Sequence, residues 1–164
     1  MKKMLLLVII FTSAFLQNGS AQKNSSSLST FLALYYQVKD ALVSSDAATA
    51  SVKAGELYKA IEGVDEKTLS KKEDDAFKSL HYKLSYDARH ISEVKELPHQ
   101  REHFASLSLN MYALAKAVNL SVQPVYEQYC PMKNAYWLSN ETSIKNPYYG
   151  SNMLTCGEVK DTLK

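Results

Sequence analysis

Two pairs of sulfur-containing residues lie near the C-terminus of the 164-residue sequence: Cys130 with Met132, and Met153 with Cys156. Thiolate and thioether sulfurs are soft donors, and soft donors favour Cu(I) among the common biological metal ions. If the segment between the pairs folds back on itself, the four sulfurs converge and can bind one soft ion. The alternative is a single disulfide between the two cysteines, which is the usual state of a cysteine pair in an exported protein.

Two histidines, His99 and His103, are four residues apart, so on a helix they share one face, and this spacing can bind a metal ion. His103 also borders the apolar stripe of its predicted helix and could point toward the C-terminal sulfurs. The competing interpretation is a pair of solvated histidines near a helix start. His81 and His90 lie on the preceding predicted helix without clear partners.

Motifs of the common enzyme and zinc-site classes are missing from the sequence. It has no Gly-rich phosphate loop, no Gly-x-Ser-x-Gly turn and no His-Glu-x-x-His. Two cysteines without a Cys-x-x-Cys do not make a zinc finger or a thioredoxin-type site. The sequence therefore predicts a binding protein and not an enzyme.

The N-terminal residues predict export. Lys2 and Lys3, an apolar stretch over 4–16 and small residues at 19–21 together have the pattern of a secretory signal peptide, spanning residues 1–21. The apolar stretch is too short to be a membrane-spanning helix. We therefore expect a protein in the periplasm or otherwise outside the cytoplasm, with no membrane insertion after signal removal.

The rest of the chain predicts a polar, disordered leader over 22–29 and one domain over 30–164. When the two lysines of the signal are removed, the 19 basic residues become 17, which equals the 17 acidic ones. A neutral chain lacks the basic surface that binding to nucleic acid requires, so we expect no nucleic-acid partner.

The elements that must position the sulfurs and histidines are mostly helical. Apolar residues recur at helical spacing, and helix-start signals stand at Asp46 and at the capping box that begins with Ser70. These patterns predict a mainly α fold, an antiparallel four-helix bundle with helices at 30–44, 46–62, 70–95 and 98–118.

The pattern changes after the fourth helix. Residues 122–129 are β-branched and aromatic with a proline among them, which predicts a short edge strand, and 158–164 suggests a last helical turn. Between them we expect an ordered, irregular cap on the bundle with short strands at most. Such a long loop needs an apolar anchor, so Trp137, Tyr148 and Tyr149 should be buried.

The chain resembles the bacterial DUF3347 domain, a domain of unknown function, from about residue 31 to 159. The resemblance is carried by the motifs Gln-Arg-Glu-His-Phe at 100–104, Tyr-Cys-Pro-Met at 129–132, Trp-Leu-Ser at 137–139, Asn-Pro-Tyr-Tyr-Gly at 146–150 and Met-Leu-Thr-Cys-Gly at 153–157. That domain occurs as an exported protein and attached to periplasmic adaptor subunits of copper/silver-type efflux pumps. The resemblance implies a site made of Cys130, Met132, Met153 and Cys156, with His103 as a fifth contributor.

The sequence and the resemblance together predict an exported domain that binds Cu(I) or Ag(I) and acts in envelope metal handling or efflux. Its expected partner is a heavy-metal efflux adaptor or a metal-resistance protein. The alternative is a periplasmic interaction module without metal, stapled by a disulfide between Cys130 and Cys156, which docks on a partner through its aromatic cap.

Overall fold

A computed structural model describes residues 28–164. Four helices come first, followed by three strands, with 3₁₀ turns at Glu66–Thr68 and Gly150–Met153: α1 Ser29–Val43, α2 Ala47–Glu62, α3 Lys71–Glu93, α4 Leu97–Ala117, β1 Val125–Cys130, β2 Ala135–Ser139 and β3 Glu158–Leu163. The prediction of a mainly helical protein with four helices is confirmed, and each helix boundary lies within two residues of its predicted position.

The predicted signal peptide over 1–21 lies outside the described residues, as does most of the predicted leader. The last two residues of that leader, however, belong to the ordered domain. Leu28 is fully buried and Ser29 begins α1. Among residues 28–164, none of the helices combines the length and the apolar character that crossing a bilayer requires.

The helix starts follow from local chemistry. The carboxylate of Asp46 accepts a hydrogen bond from the Thr49 N–H at 2.9 Å and so caps α2. Ser70 and Glu73 form the predicted capping box, in which each side chain accepts a hydrogen bond from the other residue's backbone. Pro98 stands in the first turn of α4, where its missing N–H costs nothing.

The helices pack in chain order, α1 on α2, α2 on α3 and α3 on α4. Their apolar stripes meet in one core, where the ring of Phe31 lies 6.0 Å from Phe77 and Tyr35 stacks on Phe104 at 5.0 Å between centroids. Burial of these stripes is the main source of helix stability, because most of the stability of helices in proteins comes from tertiary packing of their apolar faces.

The C-terminal part is more regular than the expected irregular cap with possible short strands: β1, β2 and β3 form a three-stranded antiparallel sheet in the order β2-β1-β3, and only residues 140–157, between β2 and β3, are irregular. β1 and β2 are joined as a hairpin by residues 131–134, where Asn134 has a positive φ of 53°. β1 is the central strand and not an edge strand. Pro124 did not prevent this, since it precedes the strand and removes no ladder hydrogen bond.

The expected helical turn at 158–164 is also wrong. This segment is β3, which pairs with β1 from Val125 opposite Leu163 to Tyr129 opposite Glu158. The reason is tertiary: β1 has a second edge to be hydrogen-bonded, and unpaired strand edges are unfavourable. The sequence of residues 158–164 alone does not show that this segment pairs with β1.

The sheet rests on α4 through β2. Trp137 is fully buried, Tyr148 is 4% exposed and Tyr149 is half-buried, so the predicted apolar anchor is confirmed. A hydrogen-bonded chain joins the sheet to the helices, because the Leu138 N–H donates to the Tyr35 hydroxyl at 2.9 Å and that hydroxyl lies 2.7 Å from Ser108 Oγ. These hydrogen bonds therefore attach the sheet to the helices at Tyr35.

Candidate metal-binding site

The two cysteines meet at one end of the sheet. Cys130 is the last residue of β1, and Cys156 lies two residues before β3. Because Tyr129 pairs with Glu158, the chain entering β3 runs alongside the end of β1 and brings the two thiols together. Their Sγ atoms are 3.9 Å apart, with Cys130 buried and Cys156 half-buried. The expectation that the two sulfurs lie close together is confirmed.

The distance between the two Sγ atoms can be compared with that of a disulfide bond and with that of two thiolates on one metal ion. A disulfide bond is about 2.05 Å long, so these are two separate thiols. With metal–sulfur bonds of about 2.3 Å, two thiolates on one ion lie about 3.8 Å apart in a tetrahedral site and about 4.6 Å apart in a linear one. The 3.9 Å of Cys130 and Cys156 falls within that interval. The pair has the spacing of two ligands of one metal ion.

A buried asparagine fixes the segment that carries Cys156. Asn146 donates from Nδ2 to the Cys156 carbonyl at 2.7 Å, and its Oδ1 accepts from the Tyr148 N–H at 2.8 Å. Its own backbone N–H donates to the Leu154 carbonyl at 2.8 Å. One side chain thus joins the two ends of the loop 146–156, which holds the Cys156 sulfur against Cys130.

The same loop is tied to the helices by Arg101 of α4. Its Nε donates to the Pro147 carbonyl at 2.8 Å, and one terminal nitrogen donates to the Leu42 carbonyl at 3.1 Å and to Ser45 Oγ at 3.0 Å. Burial lowers the pKa of the Arg101 guanidinium from its ordinary value. Arg101 belongs to the motif at 100–104, so this motif helps to position the loop 146–156 on the helices.

The methionines approach the thiols through their backbones. The Met132 N–H donates to the Cys156 thiol, and the Cys156 N–H donates to the Met153 carbonyl at 3.1 Å. The side chain of Met132 is 65% exposed, and Met153 is half-buried. Their predicted role as thioether ligands stays a prediction, but both residues shape the position of Cys156.

The surroundings of Cys156 favour the protonated thiol over the thiolate. Burial, followed by the neighbouring Cys130 thiol, raises the pKa of the Cys156 thiol, and the Met132 N–H opposes this with a smaller effect. A thiol in this state is a poor nucleophile at neutral pH, since the thiolate is the reactive form. A metal ion that binds here must displace the proton, so binding releases protons.

His103 makes its contacts with other residues. Its Nδ1 lies 3.0 Å from Asp87 Oδ1, its Nε2 lies 3.2 Å from His99 Nε2, and its ring is 4.7 Å from the ring of His90. These contacts join α4 to α3, so the expected contribution of His103 to the sulfur site stays a prediction. Ligand atoms of His90, His99 and His103 all lie within 4.8 Å of one another.

The sequence reasoning found the His99–His103 pair but missed His90 as its partner. A signal was present, because His90 precedes His99 by nine residues and the two predicted helices are joined by a short link. In a tight antiparallel pair of helices, the last turn of one and the first turn of the next must be neighbours. Comparing the last turn of the third predicted helix with the first turn of the fourth would have placed His90 beside His99 and His103.

Residues 31–123 match the family model described as "Protein of unknown function (DUF3347)", and the chain belongs to this family. The match covers the four helices, including Asp87 and the three clustered histidines, and ends before β1, so both cysteines lie outside it. Neither the curated proteins nor the solved structures contain a match to the chain.

Proposed function

We propose that this protein is an exported metal-binding domain that holds a soft ion, Cu(I) or Ag(I), between Cys130 and Cys156 and acts in envelope metal handling or efflux. The observation that supports the proposal is the pair of free thiols 3.9 Å apart, which is the spacing of two thiolates on one ion. Sulfur ligands favour Cu(I) over harder ions. The protein binds and transfers the ion and is not an enzyme.

The support around the thiols suits a binding role. Cys130 sits on the central strand of a sheet, and Cys156 is held by the loop that Asn146 and Arg101 fix to the helices. We further propose that the four helices form an antiparallel bundle, since consecutive helices are in contact and their connections are short. Such a scaffold holds the two sulfurs with little reorganisation when metal enters. Half-exposure of Cys156 leaves a route for an ion to enter and leave.

The partner that receives the ion is, in this proposal, an efflux adaptor or another metal-resistance protein of the envelope. Met132 suits a transfer step because it is exposed and lies beside Cys156. A thioether at the entrance can bind a soft ion before the thiolates do. Met132 then has an effect on transfer without being needed for the fold.

The test is anaerobic titration of the reduced protein with Cu(I) against a chromophoric Cu(I) chelator. Wild type should bind one equivalent, and Cys130→Ala with Cys156→Ala should abolish binding. Met132→Leu and Met153→Leu report whether the thioethers are ligands, because Leu and Met have similar volumes and such swaps usually cost less than about 1.5 kcal/mol. Met111→Leu, in the helical core, is the matched control and should leave binding unchanged.

The alternative function is a disulfide-stapled interaction module, and the closeness of the same two thiols favours it in an oxidising compartment. Trp137 and Tyr148 are buried, so a partner would contact other residues of the cap. Counting free thiols in protein isolated from the envelope separates the two functions. No free thiols, together with no Cu(I) binding after reduction, would exclude the metal site and favour the staple.

A further inference from the structure

A second cluster of metal-ligand residues lies where α3 is joined to α4, and it is independent of the thiol pair and of the function proposed for it. His90 stands in the last turn of α3, and His99 and His103 stand on the first turns of α4. We propose that these three histidines bind a divalent transition ion of the class that prefers imidazole, such as Zn²⁺ or Cu²⁺.

The distances between the ring nitrogens support a shared ion. With metal–nitrogen bonds of about 2.0–2.1 Å, two nitrogens on one tetrahedral ion lie about 3.3 Å apart. The Nε2 atoms of His99 and His103 are 3.2 Å apart. A nitrogen of His90 is within 4.8 Å of both.

Asp87 is a buried carboxylate beside His103, and a solvated histidine has no such partner. The Asp87 side chain is 5% exposed, and Oδ1 lies 3.0 Å from His103 Nδ1. Neutral His103 therefore donates its Nδ1–H to the carboxylate and keeps the Nε2 lone pair directed at His99. Histidines that ligate metals in proteins almost always donate their other ring N–H to such a partner, which fixes the ring and its tautomer. Asp87 is thus a positioning residue for a His103 ligand.

The ligand count predicts the kind of site. Three histidines leave the fourth position of a tetrahedral ion open, which is the arrangement of an ion that exchanges or that binds a further ligand. His99 is exposed, while His90 and His103 are half-buried beside the ring of Tyr86. The open position therefore faces solvent on the side of His99. The chemistry differs from that of the thiols, because imidazole binds divalent ions and thiolate pairs favour Cu(I).

The experiment uses the full domain with both cysteines replaced, Cys130→Ala and Cys156→Ala, so that the thiols neither bind metal nor react with Cu²⁺. Calorimetric titration with Zn²⁺ should show one equivalent bound. Electron paramagnetic resonance of the Cu²⁺ form should show coupling to imidazole nitrogens. His99→Ala or His90→Ala should each weaken Zn²⁺ binding by more than the roughly 10- to 100-fold expected for Asp87→Asn.

His81→Ala is the matched control. His81 also lies on α3, but it pairs with Glu62 at 3.1 Å, and its replacement should leave Zn²⁺ affinity unchanged. His99 is exposed, so His99→Ala should keep the melting temperature of the metal-free protein and test the site without a folding defect. The proposal is overturned if the cysteine-free protein binds no Zn²⁺, or if His99→Ala and His90→Ala bind it as tightly as their parent.

Discussion

The helical part of this protein, residues 28–118, and its C-terminal part, residues 119–164, differ in the contacts that decide where their helices and strands form. In the helices, caps and stripes join residues three or four positions apart, as in the contact of Asp46 with Thr49. In the C-terminal part, the decisive contacts span long stretches of chain, as in the hydrogen bond from Leu138 to Tyr35, 103 residues apart.

The two candidate metal sites follow the same division. The histidine cluster is made by two consecutive helices and lies inside the stretch that matches the family model. The thiol pair depends on a strand register and on a loop fixed by Asn146 and lies outside that stretch. We therefore expect the histidine cluster to survive changes in the sheet that would separate the thiols.

The largest effect is expected from Trp137→Ala. Trp137 is fully buried in the hydrophobic core, and removing such a side chain costs about 3–5 kcal/mol of unfolding free energy. Urea unfolding followed by circular dichroism measures this, and Tyr82→Ala, at a side chain 75% exposed, should cost far less. If Trp137→Ala unfolded with the wild-type midpoint, the C-terminal part would not share the helical core.

A pair of glycine variants should change stability in opposite directions. Gly157 has a φ of 153°, and a Cβ there would lie 2.8 Å from the Trp137 ring and 2.9 Å from the Tyr129 carbonyl. Gly157→Ala should destabilise by about 2–4 kcal/mol, because strain and overpacking add. Gly55 lies inside α2 with 3.6 Å to Ser92, so Gly55→Ala should stabilise by about 0.5–1 kcal/mol. The melting temperatures of both variants, compared with wild type, test this prediction. A lower melting temperature for Gly55→Ala would contradict the expected difference in sign.

Tyr35→Phe tests the hydrogen bonds that join the two parts. The change removes the hydroxyl that accepts from the Leu138 N–H and contacts Ser108 Oγ, and leaving a buried donor unpaired costs about 1–3 kcal/mol. Tyr82→Phe on the surface is the control and should be neutral. Amide exchange at Leu138 should also become faster in Tyr35→Phe, while exchange in α3 should not. Unchanged exchange at Leu138 would argue against this bridge.

The smallest effect is expected at the cap of α2 and depends on pH. Hydrogen bonds from the Thr49 N–H and then from its hydroxyl hold the pKa of the Asp46 carboxyl below its ordinary value. A carboxyl with a lower pKa in the folded state stabilises the fold above its ordinary pKa of about 4, and loses that contribution as the pH falls through the lowered value. Wild type should thus be more stable than Asp46→Asn at pH 7, and the difference should vanish in acid. A difference that persisted at low pH would show that the charge is not its cause.

How far the sequence predicts this protein differs between the two parts. The helices were predictable to within two residues because Asp46, Ser70 and the apolar spacing act within one or two turns. The burial of Trp137 and Tyr148 was also predictable, since an ordered segment needs an apolar anchor. The sheet was not predictable, because β3 is extended only where it can pair with β1, and that pairing joins residues as far apart as Val125 and Leu163.

The sequence by itself determined the helical part, the presence of soft donors and the residue types of both candidate sites. Only the tertiary structure decided which donors meet. It placed the thiols of Cys130 and Cys156 together through the register of β1 and β3, and it joined His103 to Asp87 and His90. The physical reason is that caps and apolar spacing, which mark where a helix begins and ends, act between near neighbours in sequence, whereas a site made from separate elements depends on how those elements pack.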